Sequence, residues 1–96
     1  MNTIRVESGV LLEDAALSVE DLSRACSVTV QWVVERVESG LLECSPGEAA
    51  RFSSAALRRA RRLRALETGF EATPELAALT VDLIEEVERL RALLRR

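Results

Sequence analysis

Apolar residues recur along most of this chain every three or four positions, and Ser, Thr, Gly and Pro punctuate the breaks between those runs. The most organised stretch runs from Ser27 to Leu42, SVTVQWVVERVESGLL. Val30, Trp32, Val33 and Val37 fall near helical spacing and are expected to face a core. Thr29 stands before them as an N-cap, and Gly40 follows Ser39 where a helix end favours positive φ. Upstream, SVEDLSRAC predicts another short helix with Leu17, Leu22 and Ala25 turned inward. Its start pairs Ser18 with Asp21, a capping box whose acid is one carbon shorter than usual. Two short helices around a tight turn make a helix-turn-helix. Ser27 sits where such turns commonly carry Gly, and a left-handed Ser costs about 1 kcal/mol, so a different turn is expected.

The flanks read as support. Residues 3–12, TIRVESGVLL, alternate Ile4/Val6 and Val10/Leu12 around a Ser-Gly break, a strand signal. After Gly40, LLEC and ARF are short extended pieces separated by Ser45, Pro46 and Gly47, which predicts a β-hairpin or wing. Ser53 or Ser54 then caps a helix with the stripe Leu57, Ala60, Leu63 and Leu66, ended by Thr68-Gly69. Thr73-Pro74-Glu75 opens the last helix. There Leu76, Thr80, Leu83, Val87, Leu90 and Leu94 alternate spacings of four and three, a heptad seam widened by Leu79, Ile84 and Leu93. That width favours self-association, and Leu76, Leu83, Val87, Leu90 and Leu94 are the candidate dimer contacts. The whole chain, 1–96, reads as one mainly α domain. An N-terminal strand or arm covers 1–16, a winged helix-turn-helix 17–72, and a C-terminal dimerisation helix 73–96.

Composition narrows the function. With no His, no CxxC pair, no glycine-rich phosphate loop and no evident paired carboxylates, the chain points away from an enzyme, and no cofactor or metal is expected. Cys26 and Cys44 read as small buried residues in a reducing compartment. No apolar run is long enough for a membrane span and MNTIRVESG is no signal peptide, so a cytoplasmic protein is expected.

Charge is uneven beneath the formal net −3: acids dominate the first half, and arginine, the sole basic residue type, the second. Arg58, Arg59, Arg61 and Arg62 would be phosphate contacts if the chain bound nucleic acid. They point to several sides of their helix, however, which suits ion pairing and solvation better. On the second helix the outward positions are Gln31, Val34, Glu35 and Glu38. Two carboxylates and a valine would be repelled by phosphate and read few base edges, so this face argues against DNA. It suits a basic, partly apolar protein surface.

The order helix-turn-helix, Gly-Leu-Leu, wing, Phe-Ser, Arg-rich helix, terminal helix resembles the N-terminal half of MerR-type regulators. Within that superfamily the chain more closely resembles the CbpM family of chaperone modulators. Three stretches carry the resemblance: Val33-Val34-Glu35-Arg36-Val37 followed by Gly40-Leu41-Leu42, then Arg59-Ala60-Arg61-Arg62-Leu63, then Asp82-Leu83-Ile84-Glu85-Glu86-Val87 with Leu90. A MerR-type DNA reader would place Arg at Val34 and aromatic residues at Glu35 and Arg36. The modulators often carry Trp at the position of Ala50. The resemblance implies a MerR-like winged helix-turn-helix that binds and inhibits the J-domain of a DnaJ/CbpA-type co-chaperone. J-domains present a basic helix beside a His-Pro-Asp loop. The alternative is a MerR-like transcriptional regulator using the Arg-rich helix on phosphates.

Overall fold

The computed structural model describes residues 17–46 and 49–95. It is mainly helical: α1 (Val19–Cys26), α2 (Val30–Glu38), α3 (Ser54–Gly69) and α4 (Pro74–Leu94) follow one another along the chain. Two compact units divide it, one reaching to Arg61 and one starting at Arg62, so α3 belongs to both.

In the first unit each helix starts where a side chain can accept from an orphan backbone N–H. Ser18 Oγ accepts from the Asp21 N–H at 3.0 Å, and Asp21 accepts in return from the Ser18 N–H at 3.1 Å. Thr29 caps α2 through the Trp32 N–H at 3.0 Å. Ser53 caps α3 through the Ala56 N–H at 3.1 Å.

The capping box has a titration consequence. The Ser18 backbone N–H, then its hydroxyl, hold the Asp21 carboxyl below the ordinary carboxylate range, with Arg24 assisting. A carboxylate depressed on folding stabilises the fold above its unfolded pKa and loses that contribution as pH falls through the folded value. Between neutral pH and pH values below the ordinary carboxylate range, wild type should therefore lose more stability than Asp21→Asn. Denaturation midpoints measured across that window check it.

The turn between α1 and α2 departs from the expectation for Ser27. Ser27 is left-handed at φ 56°, with its N–H on the Arg24 carbonyl at 3.3 Å and the Val28 N–H on the Ser23 carbonyl at 3.0 Å. Satisfying two orphan carbonyls in this way offsets the steric cost of a serine there. Gly40, at φ 77°, ends α2 similarly: its N–H reaches the Val37 carbonyl at 3.0 Å, and the Leu41 N–H reaches Arg36 at 2.8 Å. After α3 the left-handed residue is Glu71, two positions beyond Gly69.

Leu22, Cys26, Val33, Leu42, Phe52, Ala56 and Ala60 are the buried apolar residues of this unit. The inner face of α2 differs from the one its valines suggest. Val30 lies exposed, whereas Arg36 is 9 % exposed. Arg36 lies in because its aliphatic stem packs like a hydrophobe and its guanidinium carbon stacks 4.3 Å from the centre of the half-buried Trp32 ring. Cys26 is buried and Cys44 half-buried, and no disulfide joins them.

Residues 3–12, with their expected strand, and Gly47-Glu48, at the expected hairpin tip, lie outside the described residues. Among the described residues the only β pairing is an isolated antiparallel bridge. Leu17 and Phe52 exchange backbone hydrogen bonds of 3.0 and 2.8 Å. Between LLEC and ARF no ladder forms there. The Ser45 N–H reaches the Arg51 carbonyl at 2.9 Å, but the Arg51 N–H goes to Ser45 Oγ at 3.2 Å instead of returning to its carbonyl. A regular antiparallel pair needs both backbone bonds.

The second unit holds the end of α3 and α4. Thr73 caps α4 through the Leu76 N–H at 3.1 Å, with Pro74 at the first helical position. Leu63, Ala77, Ala78 and Val81 are buried. Arg62 donates two hydrogen bonds of 3.1 and 2.5 Å to Glu88, linking α3 to α4 within this unit.

Candidate partner-binding face

The α2 residues expected to face outward do so: Gln31, Val34, Glu35 and Glu38 are all exposed. Their placement follows from period 3.6, which sets them on one side of the helix while Val33 and Arg36 hold the other. Glu35 is positioned from both directions, accepting from Gln31 Nε2 at 3.4 Å and from Arg36 Nη1 at 3.3 Å. Arg36 thus keeps its stem inside and holds one of the surface carboxylates in place. Val34 is 39 % exposed, an aliphatic side chain among polar neighbours.

Beside this face lies a cleft of about 600 Å³. Val34, Val37, Ala50 and Phe52 supply apolar wall, and Glu20 and Glu38 stand at it as acids, with Arg51 also lining it. Glu20 and the Ala49–Phe52 stretch were not among the residues that the sequence singled out for binding. They come from α1 and from the segment before α3, so no periodicity within α2 could have included them. The Leu17–Phe52 bridge brings that segment beside the start of α1. An apolar trough edged by carboxylates can accept aliphatic side chains from a helix or strand that also carries Lys or Arg.

The arginines of α3 are not equivalent. Arg58 and Arg61 are exposed. Arg59 is half-buried and donates from Nε to the Leu41 carbonyl at 2.7 Å, satisfying backbone beyond the end of α2. Arg62 is held by Glu88, whose hydrogen bond raises the guanidinium pKa further. On α4, Glu86 accepts from Arg89, which lowers its carboxyl pKa. Two acids of the last helix, Glu86 and Glu88, are thus arginine-paired.

The five α4 residues named as dimer contacts, Leu76, Leu83, Val87, Leu90 and Leu94, are all exposed. Among the described residues, no helix is long and apolar enough to cross a membrane. No protein-family model matches this chain, and no curated protein matches it either.

Proposed function

We propose that this chain is a protein-binding modulator of the CbpM type, which inhibits a DnaJ/CbpA-like co-chaperone by occupying its J-domain. In this reading α1 and α2 are the helix-turn-helix of a MerR-like fold, Leu41–Phe52 is its wing, and α4 carries a homodimer. One observation carries the reading. The exposed side of α2 sets Val34 between Gln31, Glu35 and Glu38, beside an apolar cleft that Glu20 and Glu38 border. A basic helix of the kind J-domains present would place its cations at those carboxylates and its aliphatic residues in the cleft. Covering that helix would block the co-chaperone by competition. Titration of the chain into an isolated J-domain, followed calorimetrically, tests the proposal; no heat at tens of micromolar, roughly the range of a weak complex, would reject it.

The rival reading, a transcriptional regulator, relies on α3 arginines for phosphate contact. Arg59 and Arg62 are engaged with Leu41 and Glu88, which leaves Arg58 and Arg61 as the exposed pair of the four. Duplex DNA should therefore be bound at most weakly and without sequence preference, and that association should fade as salt rises. A footprint on a defined operator at physiological salt would reverse the preference between the two functions.

A further inference from the structure

We infer that the cleft beside α2 is a binding site for a small amphipathic cation, an alkyl chain ending in a primary ammonium group. The inference stands apart from the J-domain reading, because it concerns a free ligand and is measured on the chain alone. At about 600 Å³ the cleft lies within the roughly 300–1,000 Å³ of small-molecule sites, and all of its lining belongs to the first unit. Val34 and Val37 come from α2, Ala50 and Phe52 from the segment before α3, and none of these side chains carries a polar atom. Such walls favour an alkyl chain over water. Ala50 is half-buried and offers only a methyl group, which leaves room that a larger residue would take.

Charge selects the head group. Glu20 of α1 and Glu38 of α2 line the cleft, with Arg51 as the one cation among the lining residues. Glu35 already accepts from Gln31 and Arg36, whereas Glu20 and Glu38 have no such side-chain partner among the described residues. Arg51 also acts on Asp21, whose carboxyl is held low first by Ser18 and then by the charges of Arg24 and Arg51. Its charge is thus shared with an acid that does not line the cleft, and the excess at the walls is negative. The start of α1 would ordinarily attract an anion. Here the Ser18 hydroxyl and the Asp21 carboxylate already accept from backbone N–H groups at that end. A carboxylate ligand therefore meets two like charges, and an ammonium meets two partners.

Titration of the full chain with n-octylammonium, followed by amide shifts in a two-dimensional nitrogen–proton spectrum, tests the site. Saturable shifts at residues 33–38 and 49–52 are expected, with a dissociation constant on the order of 0.1–1 mM for a ligand of about ten heavy atoms. Octanoate should bind at least about tenfold more weakly, since its charge has the sign of the walls. Glu20→Gln/Glu38→Gln changes exposed residues, so the fold stays, and should bring n-octylammonium and neutral octanol to within about twofold of each other. Ala50→Trp should abolish binding of both by filling the cleft. Nα-acetyl-lysinamide carries the same ammonium on a shorter stem and should bind at least about tenfold more weakly than n-octylammonium. Equal affinity for the lysine derivative would mean that the cleft receives a protein side chain, and would overturn the free-ligand site. Equal affinity for octanoate, or shifts confined to α4, would overturn it as well. The J-domain titration is judged separately.

Discussion

Phe52→Ala should lower unfolding free energy by about 3–5 kcal/mol, the cost of truncating a fully packed aromatic side chain. The chain has just three aromatic residues, and Phe52, at 1 % exposed, is the largest of its fully buried side chains. Its backbone also holds Leu17, so a cavity there loosens the entry into α1 as well as the core. Small domains have roughly 5–15 kcal/mol in total, so the variant would keep little reserve. Its thermal midpoint should fall by more than about ten degrees. Phe70 provides the matched control. It is 78 % exposed, and Phe70→Ala should change stability by no more than about 0.5 kcal/mol. Equal effects from the two phenylalanines would contradict the packing described above.

The second large effect concerns binding. Glu35→Lys/Glu38→Lys should weaken J-domain affinity by at least about thirtyfold, since breaking desolvated charge pairs costs roughly 2–5 kcal/mol. Exposed rim charges would mainly alter association rate and salt dependence, so the size of the effect also reports how deeply the acids are covered. Val34→Asp should act in the same direction if the valine anchors beside them. Both variants change exposed positions, so helical content and dimerisation should stay as in wild type. Arg58→Glu/Arg61→Glu is the informative comparison, because these arginines are exposed while Arg62 is tied to Glu88. If the arginine variant alone loses affinity, the partner sits on α3 and the face assigned here is wrong.

What the sequence made legible was local chemistry. Ser18, Thr29 and Thr73-Pro74 begin helices because a short oxygen-bearing side chain can reach an N–H three residues ahead, and that reach is fixed by numbering alone. Gly40 is legible for the same reason. Ser27 was misread because its steric cost is local, while the carbonyls that compensate it belong to Ser23 and Arg24 on the preceding turn. The burial of Arg36 was not legible because polarity hides an aliphatic stem, and nothing in the spacing says that a ring will stack on its charged end. The exposed side of α2 followed from period alone, but the cleft beside it did not. Leu17 and Phe52 meet across thirty-five positions, and no pattern within either segment names the other. On α4 the heptad was visible, but the spacing did not say that Ala77, Ala78 and Val81 would be buried while the large seam residues stayed exposed.

The lengths of α1 and α2 carry one more consequence. At 8 and 9 residues they fall short of the roughly 12–15 at which an isolated helix becomes marginal in water. Each helix nucleus is costly, and neither segment can recover that cost from its own hydrogen bonds. Leu22 and Val33 recover it by burial, which exists only when both helices are present. The face that carries Val34, Glu35 and Glu38 is therefore inseparable from α1, although α1 supplies none of its three side chains. Losing the first helix would erase the surface on the second, and a peptide spanning α2 alone would not reproduce it.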